Sequence, residues 1–341
     1  MLWRNTNMKT EKIDTISGEQ LMKLDLPPMK YVVGGLLPQG LHILAGAPKT
    51  GKSWLLLQLC LKVAQGEQFW NLRTEKGTVL YLCLEDSVNR IQDRLFELTD
   101  HAPENLCFAT SAHTLTEDLT SQIELFIAEH PDTVLIVINT LQKVRTSIAD
   151  ANPYAADYKD ISILKFLADK HGIAIVAVQH LRKQSDSDPH QMVTGSTGLL
   201  GAADGSYVLK KENIGDDTAK LYVRGRDIEE QILTIKFISE QKKWEFISSD
   251  TPVIDAMKND KAISLLINFM KKHGSFIGIA SELAEQLGGE VKANVLTRRL
   301  QRYKNELADM GIVFEKTRSG ERRELTITYQ PHDDMTVMTD S

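Results

Sequence analysis

The chain has 341 residues, of which 42% are hydrophobic and 25% are charged, and its formal net charge is -6. This is the composition of an ordinary soluble protein with room for a full α/β domain and a smaller second one, and the acidic balance argues against a protein that coats nucleic acid with its whole surface. Because no apolar run approaches the roughly 20 residues that span a bilayer, and the start lacks the apolar stretch of a secretory signal, we expect a cytoplasmic protein.

Apolar runs of strand length alternate with longer segments of helical period through the first 247 residues. Buried strands are predicted at 41–45, 78–85, 106–110, 133–139 and 173–180. Helices are predicted at 52–65, 88–99, 117–129 and 155–170. This alternation predicts a largely parallel sheet covered on both faces, with ligands at the carboxyl ends of the strands. Antiparallel strands that extend this sheet are predicted in the later segments YVLKK, AKLYVRGRD, ILTIKFI and KWEFI.

The segment GAPKTGKS matches the phosphate-loop pattern G-x-x-x-x-G-K-[ST] and lies between a predicted strand and a predicted helix. Its glycines let backbone amides turn toward phosphates, and the helix N-terminus adds partial positive charge. Lys52 can reach the β- and γ-phosphates, and Ser53 can ligate magnesium. The predicted nucleotide-binding residues are Gly46, Ala47, Pro48, Lys49, Thr50, Gly51, Lys52 and Ser53.

A carboxylate follows the next predicted strand, where Glu85 ends TVLYLCLE. A carboxylate at this end of a strand beside a phosphate loop is well placed to act as a general base toward water. The alternative is that Glu85 or Asp86 only caps the helix that begins near Ser87.

The strand TVLIVIN ends in Asn139, where a chain with a phosphate loop should carry an aspartate that helps hold magnesium. An amide keeps the shape and an acceptor oxygen but loses the negative charge. We therefore assign Asn139 to the magnesium site and expect slow hydrolysis, since outer-shell changes around metals cost on the order of 10 to 100-fold. The alternative is that Asn139 only caps the turn into Thr140.

Six segments occur in an order that resembles the RecA-like ATPases, and more closely the RepA-type AAA-family ATPases of plasmids, phages and mobile elements. They are GGLLPQGLHILAGAPKTGKSWL, YLCLED, TVLIVINTLQKVR, AVQHLRK, GSTGLLGAAD and LYVRGRD, and the resemblance covers roughly residues 26–246. It implies ATP and Mg²⁺ as cofactors, DNA as a partner, and a homo-oligomer such as a hexamer. It also implies an ATP-driven helicase or translocase in replication or maintenance of a mobile element.

The resemblance implies roles for four residues of the site. Glu85 takes the place of the catalytic base, and His180 takes the place of a polar residue that senses the γ-phosphate. Arg224 and Arg226 are candidates for an arginine finger that completes a neighbouring subunit's site. Taken alone, His180 would more often be a core or strand-end histidine, and either arginine could lie on a solvated strand face.

Two segments would then face a central channel and bind single-stranded DNA through phosphate contacts. One is the region after the strand TVLIVIN, with Lys143 and Arg145. The other is the polar loop 182–196, with Arg182 and Lys183. This second loop also carries two aspartates and has no aromatic side chain, which weakens the case for direct strand tracking.

The end of the chain is its basic part, since residues 255–330 carry 13 Lys and Arg against 10 Asp and Glu. Three helices are predicted there, in DKAISLLINFMKK, SFIGIASELAEQLGG and VKANVLTRRLQRYKNELADMG, followed by two strands around a Ser-Gly turn. This pattern resembles a winged helix-turn-helix domain, whose third helix enters the major groove of DNA and whose wing contacts the backbone. The DNA-binding residues that this implies are Arg298, Arg299, Arg302, Lys304, Arg318, Arg322 and Arg323. The alternative is a winged helix that binds protein.

The three cysteines, Cys60, Cys83 and Cys107, lie singly in apolar segments, which favours buried free thiols over a metal or disulfide site. The predicted fold class is α/β, a RecA-like P-loop NTPase sheet with an antiparallel extension, plus a small C-terminal winged helix-turn-helix domain. The predicted division is an N-terminal segment at 1–25, the ATPase domain at 26–247, a linker at 248–257, the winged helix at 258–330 and a flexible tail at 331–341.

Two other classes of function stay open. One is a nucleotide-gated DNA-binding or loader protein in which ATP controls assembly and little hydrolysis occurs. The other is a transcription regulator with a vestigial ATP site, which the presence of Lys52, Ser53 and Glu85 disfavours.

Overall fold

A nine-stranded mixed sheet lies at the centre of the larger part of the chain. The structure is a computed structural model and describes residues 15–24, 26, 29–145, 153–182, 186–194, 197–213, 215–250, 260–319 and 322–330. The predicted tail at 331–341 and most of the predicted linker lie outside the described residues.

Helices and strands alternate through the first part of the chain and group by type toward its end. In chain order, the helices are α1 (Gly18–Lys23), α2 (Lys52–Gln65), α3 (Val88–Leu98), α4 (Leu119–Glu129), α5 (Pro153–His171), α6 (Thr197–Ala202), α7 (Lys261–His273), α8 (Ala280–Gln286), α9 (Ala293–Arg302) and α10 (Lys304–Asp309). The strands are β1 (Tyr31–Val33), β2 (Leu37–Pro38), β3 (Gly40–Gly46), β4 (Thr78–Cys83), β5 (Leu106–Ala109), β6 (Thr133–Asn139), β7 (Ala174–His180), β8 (Gly205–Lys210), β9 (Thr218–Gly225), β10 (Gln231–Ile238), β11 (Lys243–Ser249), β12 (Ser275–Gly278), β13 (Ile312–Ser319) and β14 (Arg322–Tyr329).

The order of strands across the large sheet is β11-β10-β9-β8-β3-β7-β6-β4-β5. From β8 to β5 all neighbours are parallel, and β9, β10 and β11 are antiparallel to their neighbours. The prediction that β8 is antiparallel to the rest of the sheet was wrong, because β8 pairs in parallel with β3. The chain reaches β8 through a crossover that contains α6, and only the strands after it reverse by direct connections.

The central strands are buried on both faces, and their alternate side chains enter two different cores. Leu44, Tyr81 and Val137 pack with α2 and with the antiparallel strands on one face. Ile43 and Ile138 pack with α4, α5 and α6 on the other face. The near-continuous apolar strands therefore follow from a sheet that has a cover on each side.

The C-terminal part, from α7 to β14, has an apolar core of its own. Its three strands form a separate sheet in the order β12-β14-β13. Two details of the prediction were wrong here. The predicted turn before α8 contains the strand β12, and the predicted long third helix is divided into α9 and α10 at Tyr303. The φ of -104° and ψ of 24° at Tyr303 are not helical, and its ring is buried in this core.

Within the described residues, no helix combines the length and the apolar character that crossing a membrane requires.

Candidate nucleotide-binding site

The loop from β3 to α2 has the backbone shape that the phosphate-loop pattern predicts. Lys49 and Gly51 have positive φ values of 62° and 95°, and Gly51 is the residue that precedes α2. A Cβ atom on Gly46 would lie 2.9 Å from the carbonyl oxygen of Leu209, so the neighbouring strand leaves no room for a side chain there. The hydroxyl of Thr50 donates to the carbonyl of Ala47 at 2.9 Å and closes the loop.

Lys52 places its ammonium inside this loop. Its Nζ donates to the carbonyl oxygens of Gly46 at 2.8 Å and Ala47 at 2.9 Å, and the residue is only 8% exposed. Burial lowers the pKa of Lys52 to about 8, although the nearby charge of Glu85 acts in the opposite direction. A buried cation that is bound mainly by neutral carbonyl groups is a suitable site for an anionic ligand. The residues present therefore fit a nucleotide phosphate.

Asn139, at the carboxyl end of β6, is directed toward the loop. Its Nδ2 donates to Ser53 Oγ at 3.4 Å and to the Tyr81 hydroxyl at 3.2 Å. The side chain therefore does not cap the following turn, which begins at Thr140 without a side-chain cap. An amide N–H now points at Ser53, where a carboxylate would offer an acceptor to magnesium-bound water. The Tyr81 hydroxyl can donate or accept, so it can satisfy the amide in either orientation.

Glu85 lies just beyond β4, is exposed, and accepts a hydrogen bond of 3.0 Å from the Thr140 hydroxyl. It does not cap α3, because Ser87 has that role through its bond from the Arg90 backbone N–H. Asp86 does not compete with Glu85 for a role toward the nucleotide. Its carboxylate is almost buried and pairs with Arg90 at 3.0 Å and with Arg94 at 2.7 Å, both on α3.

His180 is the last residue of β7 and lies in register with Gly46 of the neighbouring strand. The ring is half-buried, and its Nδ1 is buried without a hydrogen-bond partner among the described residues. The structure thus places His180 beside the start of the phosphate loop, where a group that senses the nucleotide would have to lie.

Arg224 lies near the end of β9 and Arg226 directly follows this strand, and both form ion pairs within the chain. Arg224 pairs with Asp188 at 2.9 Å and with Glu230 at 2.6 Å, and these hydrogen bonds raise its pKa further. Arg226 pairs with Asp204 at 3.4 Å. Both side chains remain about half exposed, at 43% and 54%. Their role as fingers toward a neighbouring subunit stays a prediction.

In the first predicted channel segment, one basic side chain is exposed and the other is held in ion pairs. Lys143 is exposed at the end of a short 3₁₀ helix. Arg145, by contrast, pairs with Asp157 and, at 3.6 Å, with Asp160, and its side chain is only 13% exposed. The prediction that Arg145 faces DNA is corrected by this arrangement, because two buried carboxylates on α5 hold the guanidinium.

In the second channel segment, Arg182 donates to the carbonyl of Gln191 across the base of its loop. Lys183 lies outside the described residues.

The basic residues of the C-terminal part divide into exposed and paired groups. Arg298 and Lys304 are exposed. Arg299 pairs with Asp260 at 2.7 Å, and Arg302 lies 3.6 Å from Glu229, between β9 and β10. The side chains of Arg318, Arg322 and Arg323 lie outside the described residues, although the backbone of β13 and β14 pairs at these positions.

Cys60 and Cys83 are buried free thiols, as expected, and burial raises the pKa of Cys83 to about 12. Cys107 is also a free thiol, but it is only half-buried, so the predicted burial of this cysteine was wrong. In the part of the chain that the structure describes, no group of three or more His, Cys, Asp or Glu is placed to hold a metal ion.

Sequence reasoning missed three residues that contact the site. Tyr81 and Thr140 bond the predicted residues Asn139 and Glu85, and Trp244 donates to the carbonyl of Gly51 at 3.1 Å. Tyr81 and Thr140 adjoin predicted strand ends, which is a weak signal. Trp244 is far away in sequence and gives no signal at all.

A family model described as an AAA domain, AAA_25, matches residues 9–186. The chain belongs to this family. The AAA domain match includes the phosphate loop, Glu85, Asn139 and His180, which the fold brings to one edge of the sheet.

The chain is also similar in sequence to DNA repair proteins named RadA. Identity is 30% over 184 residues with RadA of Halalkalibacterium halodurans, covering 52% of this chain and 36% of that protein. Identity is 29% over 180 residues with RadA of Escherichia coli K12, covering 51% of this chain and 35% of that protein. The chain thus spans about a third of the length of the curated relatives it matches.

Two solved structures share the fold. The ATPase domain of G40P superimposes with a TM-score of 0.52 at 16% identity, covering 62% of this chain and 85% of that one. A DnaB-like replicative helicase, in a structure that describes its interactions with primase, superimposes with a TM-score of 0.54 at 15% identity. The match covers 67% of this chain and 66% of that one. The predicted α/β fold, a RecA-like sheet with an antiparallel extension, is confirmed.

Proposed function

We propose that this chain is an ATP-dependent, DNA-associated RecA-like motor. The observation that carries the proposal is the buried ammonium of Lys52, which lies inside a phosphate loop between β3 and α2. Ser53, Glu85 and Asn139 surround the same loop, so groups for phosphate binding, water activation and magnesium lie together.

Each residue has a distinct task in this proposal. Lys52 and the backbone amides of the loop bind the phosphates, and Ser53 and Asn139 would hold Mg²⁺. When bound, Mg²⁺ neutralises charge that develops on the phosphates. Glu85 accepts the proton of the attacking water, and the Thr140 hydroxyl fixes the direction of its carboxylate.

Relatives and neighbours support the association with DNA. The sequence relatives are named as DNA repair proteins, and one structural neighbour is a replicative helicase. We extend this to a homo-oligomer of the RepA type that serves a mobile element, in which His180 senses the γ-phosphate and Arg224 or Arg226 reaches a neighbour's nucleotide. To reach a neighbouring subunit's nucleotide, either arginine has to leave the carboxylates with which it pairs in this chain.

The C-terminal part supports a second DNA contact. Helices α7 to α10 and the sheet of β12, β14 and β13 match the elements of a winged helix. The exposed Arg298 lies on the third of these helices, α9, and the exposed Lys304 begins α10. In a winged helix the third helix enters the major groove. We propose that it binds duplex DNA while the ATPase part acts on a single strand.

A second function is favoured by one observation. Asn139 donates an amide N–H toward Ser53 where a motor needs an acceptor, so hydrolysis can be slow enough for ATP to act as an assembly signal. The chain would then be an ATP-gated DNA-binding or loader protein.

The deciding experiment measures ATP binding and ATP turnover by the purified full chain, with and without single-stranded DNA, beside a strand-displacement assay. We expect Lys52→Ala to lose nucleotide binding, and Glu85→Gln to keep binding but stop turnover. Asp86→Asn is the matched control for Glu85→Gln, because its carboxylate pairs with α3, and it should keep turnover.

The outcomes separate the two functions. Turnover that DNA stimulates, together with strand displacement, supports the motor. Tight binding without turnover supports the loader. If the wild-type chain binds no ATP, both functions are wrong.

A further inference from the structure

We propose that Trp244, on the edge strand β11, is a positioning residue for the phosphate loop. Its indole N–H donates to the carbonyl oxygen of Gly51 at 3.1 Å, across a separation of 193 residues. The inference rests on the proposed nucleotide site and assigns the antiparallel extension a task in nucleotide affinity.

Trp244 packs closely against the phosphate loop. Trp244 is 1% exposed, and a Cβ atom on Gly51 would lie 2.8 Å from its Cζ2 atom. Gly51 itself has a left-handed φ of 95°, which a side chain would disfavour in any case. The indole therefore fixes where this peptide lies as well as its orientation.

The orientation of this peptide matters because of what lies on its other side. In a trans peptide the N–H points opposite to the C=O, so an indole bound to the Gly51 carbonyl aims the Lys52 N–H away from Trp244. That N–H belongs to the first turn of α2, whose amides have no intrahelical acceptor and are free for an anion. The Gly51 carbonyl also accepts from the Leu55 N–H at 3.1 Å, so the same oxygen begins the helix.

Trp244 is in turn held against α2. Gln58 lies two turns after Gly51. Its Nε2 donates to the backbone carbonyl of Trp244 at 3.0 Å, and its Oε1 accepts from the backbone N–H of Trp244 at 2.8 Å. The ring of Phe237 packs against the indole with centroids 5.3 Å apart. One residue of β11 thus anchors α2 both at its first peptide and two turns further along.

The test compares Trp244→Phe with the wild-type chain. Phenylalanine keeps an aromatic ring but removes the N–H donor, so the Gly51 carbonyl keeps only its bond from the Leu55 N–H and the peptide is held less firmly. We expect the Kd of both ATP and ADP to rise about fivefold to tenfold, the range of one lost hydrogen bond. The KM for ATP should rise by the same factor, and kcat at saturating ATP should stay within about twofold, because no group near the attacking water changes.

Trp70→Phe is the matched control. Trp70 also donates an indole N–H to β11, but to the Trp244 carbonyl at 2.9 Å and not to the loop. The Trp70→Phe variant should have a lower melting temperature and an unchanged Kd for ATP. Equal effects of the two variants on nucleotide Kd would mean that Trp244 acts only through stability, and would overturn the inference.

A measurement on the wild-type chain covers the case in which Trp244→Phe does not fold. The ¹H–¹⁵N resonance of the Trp244 indole should shift on saturation with Mg·ADP, whereas that of Trp70 should not. If neither moves while ADP binds, the inference is wrong and the proposed function stands. If ATP and ADP do not bind at all, the proposed function itself has failed.

Discussion

At the scale of single residues, the buried ammonium of Lys52 makes nucleotide binding depend on pH. Its pKa of about 8 in the free protein is below the ordinary value because burial disfavours the charged form. Phosphates stabilise the charged form, so binding raises this pKa and takes up a proton where the free lysine is neutral. We expect affinity for ATP to be nearly constant below a pH of about 7 and to fall as pH rises through about 8, measured by calorimetry in buffers of different ionisation enthalpy.

Lys52→Arg is the control for this pH dependence. A guanidinium stays charged throughout this range, so the variant should bind more weakly but with an affinity that no longer falls near the lysine pKa of about 8. A fall of equal size in Lys52→Arg would assign the pH dependence to another group.

Asn139 carries a second prediction at the residue scale. Asn139→Asp replaces the N–H that points at Ser53 with a carboxylate, toward which the Ser53 and Tyr81 hydroxyls can both donate. We expect turnover at limiting magnesium to rise on the order of tenfold, because the charge that holds metal-bound water is restored. The measurement is the rate of ATP hydrolysis over a magnesium titration.

Asn139→Leu, which has a similar volume and no polar atom, should not raise the rate. If Asn139→Asp is no faster than wild type at any magnesium concentration, the position does not serve the metal.

At the scale of elements, the start of α7 is fixed by one carboxylate. Asp260 Oδ1 accepts from the N–H groups of Ala262 at 3.1 Å and Ile263 at 3.3 Å, and Oδ2 pairs with Arg299 of α9 at 2.7 Å. Asp260→Ala should destabilise the C-terminal domain by about 1–2 kcal/mol, the usual cost of a lost N-cap. Its melting transition should fall by roughly 4–8 °C for each kcal/mol, with the transition of the part built on the nine-stranded sheet unchanged.

Asp260→Asn separates the cap from the ion pair, because it keeps the acceptor oxygen and loses the charge. It should lie between wild type and Asp260→Ala in calorimetry. If both variants melt as wild type does, the cap contributes nothing measurable to this domain.

The elements also show what the sequence could and could not predict. The helix 52–65 and the strand 133–139 were predicted with the bounds observed, because long periodic or β-branched runs between clear breakers specify local structure. The split at Tyr303 was missed, because the apolar period of this segment continues through it and no glycine or proline marks an end there. The pairing of Arg145 with α5 and of Trp244 with Gly51 depends on tertiary packing, which no local pattern contains.

At the scale of the whole molecule, the part built on the nine-stranded sheet and the C-terminal part have separate apolar cores. Removal of residues 255–341 should therefore leave a folded domain with unchanged ATP affinity. Duplex DNA binding should weaken, and its dependence on salt should become flatter, because fewer phosphates are neutralised. Fluorescence anisotropy of labelled duplex over a salt series measures both quantities.

Arg298→Ala in the full chain is the finer version of this test and should reduce the salt slope by about one. If the truncated chain keeps the affinity and the salt slope of the full chain, the C-terminal domain binds protein instead of DNA.

The position of β11 at the edge of the sheet has a mechanical consequence. A force applied through the C-terminal part of the chain would reach the large sheet at Ser249, the open end of the β10–β11 hairpin, where Ser249 pairs with Leu233. A pull directed away from the sheet would break the ladder pair by pair, as a zipper opens, until it reached Trp244 opposite Phe237. Force on the chain would then break the hydrogen bond from the Trp244 indole to Gly51. With the role proposed for Trp244, nucleotide binding would weaken before the parallel strands of the sheet separated.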